Sequence, residues 1–248
     1  MRFFGIYVFS VVLMLLTPAF CMADDENAPV WSYDDDYTGQ EDWGAIPVYE
    51  TCRSGMEQSP INISYTKLSD LPRLNFEYSK ATGSLNITNK SFIMKITKGG
   101  TFLDGKVKYT LQNIEIHSPS GHKVKSAFYP LEIHLIHKND DGNLLIVAVF
   151  ANIGYANRSI DDILKPLFSN KAEQFTADLT SLLNNLESYY SYSGSLPYPP
   201  CTENVQWRII KNTITVSSEQ LSKITKIIGR NTRLPQPIYM RDVLENTP

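Results

Sequence analysis

The chain has 248 residues, a formal net charge of −3, 42% hydrophobic residues and 20% charged ones. That length gives either a single large domain or two small ones, with ample room for a real core. Nothing in the charge balance is basic enough for a nucleic-acid surface, so no nucleic-acid partner is expected.

Met1-Arg2-Phe3 leads into an apolar run through Leu15 and Leu16, followed by Pro18, Cys21 and Ala23 ahead of Asp24. A positive start, a short apolar stretch and a small residue before an acidic one are the pattern of a cleaved secretory signal. Residues 1–23 are therefore expected to be removed, leaving 24–248 as one domain that is secreted or held in the secretory lumen. The run is too short for a comfortable membrane span, and no second stretch of spanning length follows. Asp34-Asp35-Asp36 reads as a solvated acidic segment. Loss of Cys21 leaves Cys52 and Cys201, which in an oxidising compartment are most simply one disulfide. Closing so long a loop contributes about 4–5 kcal/mol in the chain-entropy model, before strain. Asn86-Ile-Thr, Asn89-Lys-Ser, Asn157-Arg-Ser and Asn62-Ile-Ser are glycosylation sequons.

Short strand-like runs dominate the middle of the chain: "SFIMKI", "YTLQNIEIH", "LEIHLIH", "LLIVAVF" and "VQWRII". They are separated by Gly-Gly, Asp-Gly, Asp-Asp-Gly and Ser-Pro turns. Helical signals are few. Ser159 with Asp162 opens a short helix that Pro166 stops or kinks. Ser217 with Gln220 forms a capping box before Leu221, Ile224 and Ile228, and Gly229 ends that helix. With no repeat, linker or composition break, the pattern predicts a mostly β single domain with peripheral helices.

All four histidines lie between His117 and His137. Side chains at i and i+2 on a strand share a face, so Glu115 and His117 project together, as do Glu132 and His134. Ile114, Ile116, Ile133, Leu135 and His137 take the opposite side. A hairpin through the "SPSGHKVKSAFYP" connection sets the two strands side by side. Two readings are open at this point. The imidazoles are hydrogen-bonded core residues, or His117, His134 and Glu115 form a zinc site with Glu132 behind His134. His122 and His137 are expected to be structural, with neighbours satisfying their nitrogens.

Six ordered segments resemble the α-class carbonic anhydrases: "WSYDDDYTGQEDWG", "CRSGMEQSPINI", "NIEIHSPSGH", "LEIHLIHKN", "GSLPYPPCTENVQW" and "NTRLPQP". Their wording is similar to plant-type members. The resemblance implies a central twisted, largely antiparallel sheet with the site in a conical cleft, and its secreted members fit the Cys52–Cys201 pairing. It implies zinc as cofactor, carbon dioxide and bicarbonate as small-molecule partners, His117 and His134 as two ligands, and Glu132 and Asn113 as outer supports. Ile136, Ile146, Leu196 and Trp207 match the family's apolar wall for carbon dioxide.

The departures from the family fall at the reaction centre. The first zinc histidine is replaced by Glu115, whose charge makes the metal a poorer Lewis acid. The family's Ser-Leu-Thr-Thr-Pro-Pro reads Ser195-Leu196-Pro197-Tyr198-Pro199-Pro200. Pro197 has neither the hydroxyl nor the N–H of the threonine it replaces, and Tyr198 puts a large ring in the cleft. The family's Ser-Glu-His reads Ser120-Gly121-His122, so the glutamate that meets that threonine is lost as well. Lys90 stands in the region of the proton-shuttling histidine and stays protonated near neutrality. The resemblance therefore implies a secreted member with impaired or absent hydration of carbon dioxide, similar to the carbonic-anhydrase-related and dioscorin types. Its role would be binding, storage or interaction with a protein or carbohydrate. The alternative is an active zinc hydratase using a His/His/Glu site.

Overall fold

The computed structural model describes residues 28–88, 91–168, 174–183 and 188–246; the expected signal segment, Asn89 and Lys90 lie outside them. In chain order, the first strands are β1 (Asn62–Ile63), β2 (Lys67–Ser69), β3 (Leu74–Thr88), β4 (Ser91–Asp104), β5 (Val107–His117) and β6 (Lys123–Val124). They are followed by β7 (Leu131–Lys138), β8 (Leu144–Ile153), β9 (Phe175–Ala177), β10 (Tyr189–Ser195), β11 (Glu203–Val216) and β12 (Leu244–Asn246). The helices are short: α1 (Thr51–Ser54), α2 (Arg158–Leu164) and α3 (Ser218–Ile228). Among the described residues no helix is long and apolar enough to cross a membrane.

Ten strands form one sheet in the order β2-β12-β10-β11-β8-β7-β5-β4-β3-β9. Its pairings are antiparallel except where β11 joins β8 and β12 joins β2. This is the mostly β, single-domain fold that the strand runs and the resemblance implied. The centre of the sheet is strongly apolar. In β8, "LLIVAVF" is buried on both faces, as a strand covered from two sides must be.

The sheet divides the core in two. One face packs Ile114, Ile116, Ile133, Leu135, Leu145 and Val147 against α3 through Ile224 and Ile228. The other packs Ile136, Ile146, Ala148, Phe150, Leu196 and Trp207 against the N-terminal aromatics Tyr33 and Trp43. Alternation along β5 and β7 sends Glu115, His117, Glu132 and His134 to the second face, while His137 goes to the first.

The Ser217–Gln220 capping box on α3 is present, and Gly229 ends that helix at φ 61°. On α2 the cap is Asn157 rather than Ser159: its side-chain oxygen accepts from the N–H groups of Ser159 and Ile160. Asn157 is also buried, and its amide Nδ2 donates to the Ser181 carbonyl. The nitrogen to which a glycan would be joined therefore faces the Ser181 segment rather than solvent. Asn86 is half-buried on β3. Cys52 on α1 and Cys201 after β10 are joined in a disulfide spanning 149 residues of sequence, as expected from the cysteine count.

Candidate functional site

Strands β5 and β7 pair so that Glu115 stands opposite His134 and His117 opposite Glu132. The hairpin read from the sequence therefore places the three candidate ligands in one cluster, with their ligand atoms within 4.8 Å of one another. All three are buried, Glu115 at 2% exposure.

The hydrogen bonds decide which atoms face inward. His117 Nδ1 lies 3.0 Å from the Asn231 carbonyl and so carries the proton it donates, which leaves Nε2 with a bare lone pair. His134 Nε2 donates to Glu132 Oε1 at 2.9 Å, which leaves Nδ1 bare. Neither His117 Nε2 nor His134 Nδ1 has a hydrogen-bond partner, although both are buried. The ring centroids are 4.3 Å apart. Buried nitrogens without partners are uncommon, because each forgoes the bonds it had in water.

Glu115 supplies the third side. Its Oε2 lies 3.7 Å from His117 Nε2, close to the ~3.3 Å that separates ligand atoms at opposite ends of a tetrahedral edge with bonds of about 2.0 Å. Its Oε1 accepts the Tyr198 hydroxyl proton at 2.8 Å. Two imidazole lone pairs and a carboxylate oxygen are a donor set that suits zinc. The residues fit the metal.

Electrostatics agree. Burial lowers the pKa of His117, but the neighbouring Glu115 carboxylate, the Asn231 carbonyl and Glu132 outweigh it and leave the group above its ordinary value. The Glu115 carboxylate thus stabilises positive charge beside the His117 ring. His134 falls to about 4, through burial first and the adjacent His117 second. Burial would raise Glu132, yet His122 and His134 hold it well below the carboxylate range. Burial and the charge of Glu115 raise Tyr198 well above its ordinary value, so it remains a donor.

Behind the ligands, Glu132 is fully buried and accepts four hydrogen bonds. His122 Nδ1 and His134 Nε2 donate to Oε1, and the Gly121 and His122 backbone N–H groups donate to Oε2. His122 passes the network to the Tyr192 hydroxyl through Nε2 at 2.7 Å. Both nitrogens of His122 are thus occupied, so the group His122, Glu132 and His134 offers a metal only His134 Nδ1. Gly121 contributes through its backbone, and a Cβ there would meet Pro60 Cγ at 3.0 Å.

Ile136, Ile146, Leu196 and Trp207 lie in the apolar cluster beside the histidines, with Trp207 edge-on to His134 at 5.0 Å. Asn113 is half-buried on β5 opposite Ile136, while the outer contacts to the three ligands come from Asn231, Glu132 and Tyr198. Pro197 is buried next to Tyr198, whose ring stacks on Trp31 with centroids 6.0 Å apart. Asn231, Trp31 and Tyr33 were not singled out as site residues by sequence reasoning. Their only signal was that they stand in "NTRLPQP" and "WSYDDDYTGQEDWG", two of the six matching segments.

A model described as eukaryotic-type carbonic anhydrase matches residues 38–247. The chain belongs to this family. A carbonic anhydrase of Neisseria gonorrhoeae is 30% identical over 243 residues, 95% of this chain and 96% of the relative. The α carbonic anhydrase 7 of Arabidopsis thaliana is 30% identical over 258 residues, 97% of this chain and 94% of the relative. The solved structure of a dioscorin complexed with ascorbate superposes with a TM-score of 0.82 at 29% identity, covering 88% of this chain and 98% of the dioscorin. Carbonic anhydrases are generally zinc-dependent, and this chain brings Glu115, His117 and His134 together in a buried cluster that could hold a metal ion.

Proposed function

We propose that this carbonic anhydrase family member keeps a zinc-binding pocket but has impaired or absent hydration of carbon dioxide, and serves a binding, storage or interaction role. The observation that carries this reading is the Tyr198 hydroxyl, which donates to Glu115 from a segment where Pro197 has no donor of its own. His117 Nε2, His134 Nδ1 and Glu115 would hold the metal. When bound, zinc supplies Lewis acidity, weakened here by the charge of the carboxylate ligand. Around it, Glu132 orients His134, and the Asn231 carbonyl orients His117. Pro197 can neither orient a hydroxide nor offer an N–H to a bound anion, and Gly121 has no side chain to complete a proton relay. Loss of one oriented donor costs roughly 10² or more in rate on the scale of oxyanion contacts, and several are lost together.

A second reading, an active zinc hydratase with the same three ligands, is favoured by the two bare nitrogens. Stopped-flow hydration of carbon dioxide by the purified chain separates the two. The expected result is a rate at least about 10² below that of an active relative, rising when Glu115→His, Gly121→Glu, Pro197→Thr and Tyr198→Thr are combined. Acetazolamide-sensitive turnover at a relative's rate by the unaltered chain would instead establish the hydratase. The apolar N-terminal run and the Cys52–Cys201 disulfide support a secretory location. Because a dioscorin was solved with ascorbate, ascorbate is the first small molecule to titrate against this chain.

A further inference from the structure

We propose that Tyr198 is a positioning residue for Glu115, so that the two together form the third side of the metal pocket. This rests on the reading that the pocket binds zinc. Each candidate ligand has one outer partner that fixes which atom turns inward: the Asn231 carbonyl for His117, Glu132 for His134 and the Tyr198 hydroxyl for Glu115. The third contact divides the carboxylate. Oε1 is occupied by the hydroxyl, and Oε2 is left facing His117 Nε2 at 3.7 Å. A ligating carboxylate is held in this way when its second oxygen has a donor.

Tyr198 is well placed to hold that position. It is buried at 7% exposure, and its ring lies parallel to Trp31, with an interplanar angle of 2°. Trp31 in turn packs edge-on against both Tyr33 and Trp43. The ring therefore has little freedom, and the hydroxyl meets Glu115 without loss of rotamer entropy at the moment of binding. A histidine ligand needs no such partner on a second oxygen. A carboxylate introduced on the same strand does, because its unused oxygen is otherwise a buried acceptor with no donor. The side chain that crowds the family's substrate space is thus the one that makes Glu115 usable as a ligand.

The test is zinc affinity, measured at fixed pH by competition with a chromophoric chelator on the chelator-stripped chain. Tyr198→Phe keeps the ring and removes only the hydroxyl; it should weaken zinc roughly 10- to 100-fold while circular dichroism stays unchanged. Glu115→Gln should weaken zinc at least as much. The double variant should match Glu115→Gln alone, because both changes remove one interaction. Cobalt(II) loaded in place of zinc should change its visible absorption in Tyr198→Phe, which a space-filling role would not produce. Unchanged or tighter zinc binding in Tyr198→Phe, or additive losses in the double variant, would overturn the positioning role while leaving the pocket intact. If the unaltered chain bound no zinc and His117→Ala made no difference, the metal pocket itself would fall, and this role with it.

Discussion

His137 is buried on the face of the sheet away from Glu115, with Nε2 bonded to the Tyr78 hydroxyl and Nδ1 to the Leu145 carbonyl at 3.3 Å. Its pKa is lowered to about 3, chiefly by burial. In the unfolded chain a histidine titrates near 6.5, so acid protonates the unfolded state first. The stability due to neutral His137 is complete above about pH 6.5 and is lost as pH falls toward 3, at up to about 1.4 kcal/mol per pH unit. His134, at about 4, acts in the same direction, and His117, held above its ordinary value, opposes them. Urea midpoints measured from about pH 7 down to about pH 4 should therefore fall, and the fall should be shallower in His137→Gln; equal slopes would show that His137 does not contribute. Strand parity read from the sequence was enough to separate His137 from His134. It could not reveal that Tyr198 would turn its hydroxyl to Glu115, since the two residues are 83 positions apart and meet only in the folded chain.

At the scale of elements, α3 shows how a local motif acquires a long-range role. Ser217 and Gln220 cap the helix as their spacing dictates. Gln220 Nε2 also donates to the Asn157 carbonyl at 2.8 Å and to Asp161 at 2.7 Å, tying the start of α3 to the start of α2. Ser217→Ala should cost about 1 kcal/mol, the ordinary value of a cap, whereas Gln220→Ala should cost roughly 2–3 kcal/mol by also leaving buried groups unpaired. Denaturant unfolding of the two variants checks the order; equal losses would mean that the link to α2 contributes nothing. On α2 the Ser159–Asp162 pair does not supply the cap that its spacing predicts. Tertiary contact with Asp178 and Ser181 draws the Ser159 hydroxyl away and leaves the cap to Asn157. Strand β10, "YYSYSGS", is not among the apolar runs that mark strands in the sequence; it forms because β11 and β12 supply partners on either side.

For the whole molecule, the Cys52–Cys201 bridge joins the N-terminal helix to the segment that carries Pro197 and Tyr198. Around it, Gln58 donates to the Cys201 carbonyl and Arg233 to the Cys52 carbonyl, so the bridge sits in a buried polar knot that includes the chain's C-terminal third. Replacing both cysteines by serine should lower unfolding stability by about 2–5 kcal/mol in guanidinium titrations. A loss below about 1 kcal/mol would show that these hydrogen bonds hold the segment without the bridge.

The sequence by itself determined the strand runs, the single domain, the cysteine pair, the α3 cap and the face shared by Glu115 and His117, and by Glu132 and His134. These follow from short-range rules, since periodicity and capping depend on residues a few positions apart. Through its ordered matches it also pointed to the family and to the altered residues Gly121 and Pro197. Only the tertiary structure decided which nitrogens stand bare, which atom of Glu115 faces them and what Tyr198 does. Hydrogen-bond direction at a buried site depends on partners such as Asn231 and Trp31, which are distant in sequence and reach the site only through the fold.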